Sequence, residues 1–273
     1  MRFSILGVLL TGGLLMPEDF GWPLVLSGGA IMAIQAGLHF GLWIWMLRIT
    51  GMLRRAKGSE PVCEIVWRTS EQMKVPYRAV WILRNPLGYA AALPTTRDLI
   101  FSEGLCASHP VDEIEAISAH ELAHLSEPRR LVFARVLGAL RLCPLIFIRP
   151  MVHAFDFGGI AFLLVPMMFF SVFVRRLGRK MEVRADAMAN EHAPDAGVYA
   201  RALERLYREN QIPAVMPGKR HVHPHLYDRL LAAGVTPDYP RPQPPAKLHW
   251  TSGLMGAVLF FLVVGILTMD SLR

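Results

Sequence analysis

The sequence predicts a mainly α integral membrane protein, with about four to five transmembrane helices and one α+β polar domain holding a small β-sheet. Three observations predict it. Hydrophobic residues make up 53% of the 273 residues and charged residues 19%, against roughly 25% charged in a soluble globular domain. Several apolar runs approach or exceed the roughly 20 residues that a helix needs to cross about 30 Å of hydrocarbon. Between them lie two polar blocks, about 48–130 and 175–248, in which both helical and strand patterns occur. So little charge excludes a coiled coil, a disordered chain and a nucleic-acid tail. The formal net charge of +7 then reads as basic residues beside membrane spans rather than as a nucleic-acid surface, and no nucleic-acid partner is expected.

The first element is Phe3 to Met16, a short apolar run behind Arg2 with no small-x-small cleavage site before Pro17. It is expected to be a retained span, paired with the next through Pro17-Glu18-Asp19-Phe20. Trp22 to Leu47 is the strongest span, a charge-free run interrupted only by Ser27, Gln35 and His39. Its Gly37-Leu-His-Phe-Gly41 is a small-xxx-small pattern, which either lets a second helix approach or is ordinary glycine. Leu131 to Ile148 carries Arg135 and Arg141, which are expensive in lipid, and reads as a span, a re-entrant arm or an interfacial helix. Phe157 to Val174 and Thr251 to Met269 are further spans, and proline-rich Pro237 to Pro245 is a stiff linker into the last.

Basic residues set the orientation. Arg48, Arg54, Arg55 and Lys57 follow the second span, Arg129 and Arg130 precede the Leu131 segment, and Arg175, Arg176, Arg179 and Lys180 follow Val174. The positive-inside rule puts all three clusters in the cytoplasm. The chain therefore divides into an N-terminal hairpin (1–47), a first half of the polar domain (48–130), a membrane hairpin (131–174), a second half (175–248) and a C-terminal span (249–273). Three cysteines (Cys63, Cys106 and Cys143), none in a CxxC pair, argue against a disulfide framework and for a reducing compartment. A multi-pass integral membrane protein with its polar domain in the cytoplasm fits these features.

Within the polar blocks, Arg78 to Leu83, Gly88 to Leu93 and Leu99 to Phe101 read as short strands, with a turn at Asn85-Pro86-Leu87-Gly88. An exposed strand there is either a plain structural hairpin or a place for an extended peptide to pair. Residues 111 to 127 form a helix, opened by Pro110 and acidic residues and closed by Pro128. Along it, His120 and His124 are four apart, so both imidazoles leave one side and can share a metal, with Glu121 placed to act on water. Two histidines need a third protein ligand if one position is to stay open. Glu182 supplies it from the helix-forming segment Lys180 to Asn190, and Asp186, one turn on, suits a hydrogen bond to a ligand histidine. Because His124 and Glu182 must meet at one ion, the chain between them crosses the bilayer an even number of times. The segment His221-Val-His-Pro-His-Leu-Tyr-Asp-Arg229 is open to three readings: a weak accessory metal site, a surface loop, or His223 and Arg229 stabilising an oxyanion.

These motifs resemble the HtpX and CAAX prenyl endopeptidase family of membrane zinc metallopeptidases. The resemblance is carried by Asp112-Glu-Ile-Glu-Ala116 leading into His120-Glu-Leu-Ala-His124, then Glu182-Val-Arg-Ala-Asp186. It continues in Gly197-Val-Tyr-Ala-Arg-Ala-Leu-Glu-Arg-Leu206 and in His223-Pro224 with Arg229 six residues after the histidine. It implies a zincin-like (gluzincin) catalytic domain with one Zn2+ per chain, held by His120, His124 and Glu182. It implies Glu121 as general base and acid, Asp186 behind the ligands, and His223 with Arg229 near the transition state. The implied activity is endopeptidase cleavage of membrane or membrane-associated proteins, in membrane protein quality control, from the cytoplasmic face. Two readings stand beside it: a regulatory membrane metallopeptidase of the antirepressor type, and a non-catalytic metal-binding scaffold. The chain departs from the family pattern at Asn85-Pro86-Leu87, at His221 and in its fifth hydrophobic segment.

Overall fold

The computed structural model describes residues 12–13, 15–214, 225–243, 251, 255 and 258. Most of the expected first span and of the C-terminal span, together with His221 and His223, lie outside the described residues.

Trp22 to Leu47 does not form one straight rod. Helix α1 (Trp22–Gly37) and helix α2 (Trp43–Ile49) are joined by a wide turn at Leu38–Leu42, and the two arms are bent by 73°. The break is at Gly41, whose φ of +101° is closed to most side chains. Here the second glycine of the small-xxx-small pattern turns the chain; a Cβ there would stand 3.2 Å from Thr96.

The sheet has strand order β1-β2-β4-β3. Strand β2 (Ala79–Leu83) pairs parallel with β4 (Asp98–Ser102), in the register Ala79↔Asp98. Strand β3 (Ala90–Leu93) runs antiparallel on β4's other side, and β1 (Leu53–Arg55) antiparallel on β2. The expected strands are thus present. The sequence reading missed β1, because Leu-Arg-Arg carries no apolar alternation to mark it. Alternate side chains of β2 and β4 face opposite layers. Val80, Ile82, Leu99 and Phe101 pack against Val62, Ile65 and Val66 of helix α3 (Pro61–Met73). Ala79, Trp81 and Ile100 pack against Ile44 of α2. With both faces covered, β2 reads as a continuous apolar run. After β4, Ser102 caps helix α4 (Glu103–Ser108) by accepting from the Leu105 amide.

Helix α5 (Val111–Leu125) is buried over Glu113 to Leu125, because it is enclosed on both flanks. Ile114, Ile117 and Leu122 meet the sheet and α3. Ala116 and Ala119 meet helix α8 (Val198–Glu209) and helix α9 (Leu226–Ala232). Two forked ion pairs fix its first half: Arg205 of α8 holds Glu113 at 2.7 Å, and Arg68 of α3 holds Glu115 at 2.6 Å.

Next come helix α6 (Arg129–Leu140), a tight turn at Cys143–Phe147 and helix α7 (Ile148–Glu191), which is interrupted at Phe155 and Asp156. Two stretches, Arg129–Asp156 and Gly158–Glu191, are long and apolar enough to cross a membrane, and a bent α1–α2 pair would make a third. The expected hairpin arm at 131–148 falls within the first stretch, and the arm at 157–174 falls within the second but for its first residue. They meet at Gly138, where a Cβ would come within 2.8 Å of Val174. The second stretch has 34 residues, about 51 Å at 1.5 Å per residue. That exceeds the hydrocarbon by several turns, and the surplus carries Glu182 and Asp186 on the same unbroken helix.

Candidate metal centre

Helix α5 presents His120 and His124 on one side, with ring centroids 5.0 Å apart and ring planes at 85°. Glu182 of α7 lies opposite. Its Oε2 is 3.7 Å from Nε2 of His120 and its Oε1 is 3.7 Å from Nε2 of His124. One ligand atom from each of the three residues falls within 4.8 Å of the others. Donors about 2.1 Å from a tetrahedral zinc are roughly 3.4 Å apart, so the donor set fits such an ion after a small contraction. Two imidazoles and one carboxylate are also a common catalytic zinc set, with the fourth position left open.

The other imidazole nitrogens face acceptors. The Tyr199 hydroxyl lies 2.9 Å from Nδ1 of His120 and donates to Oδ1 of Asp186 at 2.6 Å. That carboxylate oxygen is itself 3.2 Å from Nδ1 of His120. Asp186 is gripped by Arg229, whose Nε and Nη2 donate to its two oxygens at 2.8 and 2.7 Å. On His124, Nδ1 lies 2.8 Å from Oε1 of Glu127, which also accepts from Arg135 Nη2 at 3.1 Å. Protons on both Nδ1 atoms leave both Nε2 lone pairs aimed at Glu182, the tautomer a metal requires.

Glu121 is buried beside the ligands. Burial, and next the charge of Glu121, push the Tyr89 phenol above its ordinary value, which places the carboxylate near the start of β3. Burial alone would lower the pKa of the His124 imidazole, but the Glu127 hydrogen bond and the charges of Glu121 and Glu182 together raise it.

The family profile of peptidase family M48 matches residues 59–234, more than half of the chain and every residue of this centre. The chain belongs to peptidase family M48. Similar proteins include Protease HtpX of Hahella chejuensis, 31% identical over 150 residues, which is 50% of this chain and 47% of that protein. Protease HtpX of Idiomarina loihiensis is 28% identical over 234 residues, covering 72% of this chain and 81% of the relative. This M48 chain thus aligns with just under half the length of the Hahella relative. The crystal structure of S. mikatae Ste24p matches with a TM-score of 0.57 at 18% identity, covering 85% of this chain and 62% of that one. At that identity the likeness concerns the fold, a helix-rich chain with a small mixed sheet.

Against the sequence reading of this M48 chain, the structure brings His120, His124 and Glu182 together and sets Asp186 behind His120. Arg229, expected near the reacting carbonyl, has its guanidinium on Asp186 and the Tyr199 hydroxyl, and His223 is not among the described residues. Tyr199, Glu127 and Arg135 were missed. Glu127 could have been found, since it lies one turn after His124. Arg135 reads only as a cost in lipid, and Tyr199 stands in the Gly197–Leu206 run that carries the resemblance without a role of its own.

Proposed function

We propose that the protein is a membrane-embedded zinc endopeptidase that hydrolyses peptide bonds of membrane or membrane-associated proteins at the cytoplasmic face of a bacterial inner membrane. The observation that carries the reading is the convergence of His120, His124 and Glu182 beside a buried Glu121. When bound, zinc supplies the Lewis acidity that polarises the scissile carbonyl and makes water a nucleophile near neutral pH. Glu121 accepts a proton from the attacking water and delivers it to the leaving amine. An extended substrate pairs with β3, the edge strand that is hydrogen-bonded to β4 and lies close to α5. Main-chain pairing there favours unfolded segments over a particular sequence. Asn210 fixes the start of that strand, accepting from the Gly88 amide at 2.9 Å and donating to its carbonyl at 2.5 Å. Arg229 acts through Asp186 and Tyr199 on His120, and His223 is assigned to the developing oxyanion. Turnover of damaged membrane proteins is the role this chemistry suits.

The test compares wild type with Glu121→Gln, both purified in detergent, for zinc content and for cleavage of casein or a membrane-protein substrate. One zinc in each, with cleavage in the wild type only, is the expected result. Cleavage by the variant at wild-type rate sinks the assigned base.

A further inference from the structure

The arginine that reads as a liability in the first long membrane stretch has a specific place in the structure. Arg135 stands two turns into α6, and long side chains on a helix lean back toward its N-terminus. Its guanidinium reaches back across the Pro128 turn to Oε1 of Glu127 at 3.1 Å. The same oxygen lies 2.8 Å from Nδ1 of His124. Glu127 is closed off from water, its side chain 2% exposed. Its second oxygen is buried and has no hydrogen-bond partner among the described residues.

That geometry differs from the arginine–carboxylate pairs that hold the fold. Arg68 on Glu115 and Arg205 on Glu113, whose carboxylates are buried, are forks, with two nitrogens on two oxygens. A buried pair serving packing alone gains most from the fork, because both oxygens are then satisfied. Glu127 instead leaves one oxygen bare and brings the other to the histidine. The carboxylate is oriented for His124, and Arg135 holds it in place.

We propose that Glu127 and Arg135 are positioning residues for His124, so that the first membrane stretch takes part in holding the metal. Glu127 accepts the Nδ1 proton and fixes the ring with Nε2 toward Glu182, and Arg135 carries that constraint into α6. Seating of the helix in the bilayer and retention of the metal are thereby coupled. The proposal rests on the reading that His120, His124 and Glu182 hold a metal ion.

The test measures zinc affinity by chelator competition, and the melting temperature without metal, on the full chain in detergent. The variants are Glu127→Ala, Arg135→Met, their combination, and His124→Ala as a control. Glu127→Ala is expected to weaken zinc about 10- to 100-fold, the range for groups behind a ligand histidine. Arg135→Met, which keeps a lipid-compatible side chain, is expected to weaken it roughly 5- to 10-fold on the same scale. Arg135 Nη2 also stands 3.4 Å from Nδ1 of His124, but with that nitrogen's proton on Glu127 the ring has no lone pair there to accept from it, so Arg135 acts through the carboxylate and the combination is expected to match Glu127→Ala. Should Glu127→Ala fail to fold, Glu127→Gln and Arg135→Met still report, with a smaller loss expected in Glu127→Gln. Zinc affinity within twofold of wild type in the single variants, or losses that multiply in the combination, would overturn the coupling. So would a lowered apo melting temperature at unchanged affinity, which marks a purely structural pair. Failure of the underlying metal reading looks different: wild type and His124→Ala would then bind zinc equally poorly.

Discussion

The Tyr199 hydroxyl stands 2.9 Å from Nδ1 of His120, beside the Asp186 oxygen that lies 3.2 Å from the same nitrogen. A phenol has one proton to give. Arg229 Nη2 donates to its oxygen at 3.0 Å, and its own proton goes to Asp186 at 2.6 Å. The oxygen keeps a lone pair to accept from His120, so the phenol and the carboxylate share the Nδ1 proton of the histidine. Burial pushes the Tyr199 phenol well above its ordinary value, which keeps that proton in place across the physiological range. Tyr199→Phe is expected to weaken zinc binding about 10-fold, at the lower end of such effects, and to lower cleavage in parallel at subsaturating zinc. Chelator competition and cleavage assayed at two zinc concentrations check it; excess zinc is expected to restore most of the activity.

Arg229 has a separate consequence for stability. Its side chain and that of Asp186 are 7% and 8% exposed, so removing the guanidinium strands a buried carboxylate. Arg229→Met is expected to cost about 3–5 kcal/mol, as when one partner of a buried pair is lost. Adding Asp186→Asn is expected to recover part of that loss by removing the stranded charge. Denaturant unfolding of wild type and the two variants measures both steps; a loss below about 1 kcal/mol in Arg229→Met would place the pair among exposed ion pairs instead.

Gly138 and Val174 supply a packing test for the membrane hairpin. A Cβ at Gly138 would lie 2.8 Å from Cγ1 and 3.0 Å from Cγ2 of Val174, closer than packed carbons tolerate. Gly138→Ala is expected to destabilise by about 1–3 kcal/mol through overpacking. The combination with Val174→Ala is expected to return toward wild type, because the second change clears the contact. Thermal unfolding in one detergent compares them, and equal losses in the single and double variants would mean that the helices do not touch there.

Burial pushes the Cys106 thiol up to about 11, and the charge of Glu60 acts in the same direction. At pH 8 roughly one folded thiol in a thousand is then ionised, against about one in four at an ordinary cysteine. Alkylation of Cys106, followed in a chain carrying Cys63→Ala and Cys143→Ala, is expected to be at least 100-fold slower in the folded protein than after denaturation. The folded-state rate is expected to rise steeply between pH 9 and 11, where the neutral thiol is lost.

Much of this arrangement was legible in the sequence, and the exceptions share a physical cause. His120, Glu121 and His124 declare themselves because one helical period places them together. Glu182 follows from coordination number, and β2 and β4 from unbroken apolar runs. Gly41 was misread, since a glycine that turns a chain and a glycine that packs a helix look the same in one dimension. The partners of the ligand histidines were harder to see. Tyr199 is 79 residues from His120 along the chain, and only the packing of α8 against α5 brings them together. Arg135 was visible, but hydropathy counts a charge and not the direction in which its side chain leans.

Removal of the metal should be visible as a loss of stability, because the three ligands come from two helices far apart in sequence. His120 and His124 sit on α5 and Glu182 at the distal end of α7, so an ion between them ties the buried helix to the membrane stretch. Without it, the Glu182 carboxylate remains buried beside two imidazoles. A ligand present at 100 times its Kd stabilises by about 2.7 kcal/mol, and a detectable fall in melting temperature is expected on treatment with 1,10-phenanthroline. Added zinc is expected to reverse it. His124→Ala and Glu182→Gln are expected to melt at the same temperature with and without the chelator, having no tight site to empty. A shift that persisted in both variants would mean that the chelator acts elsewhere on the chain.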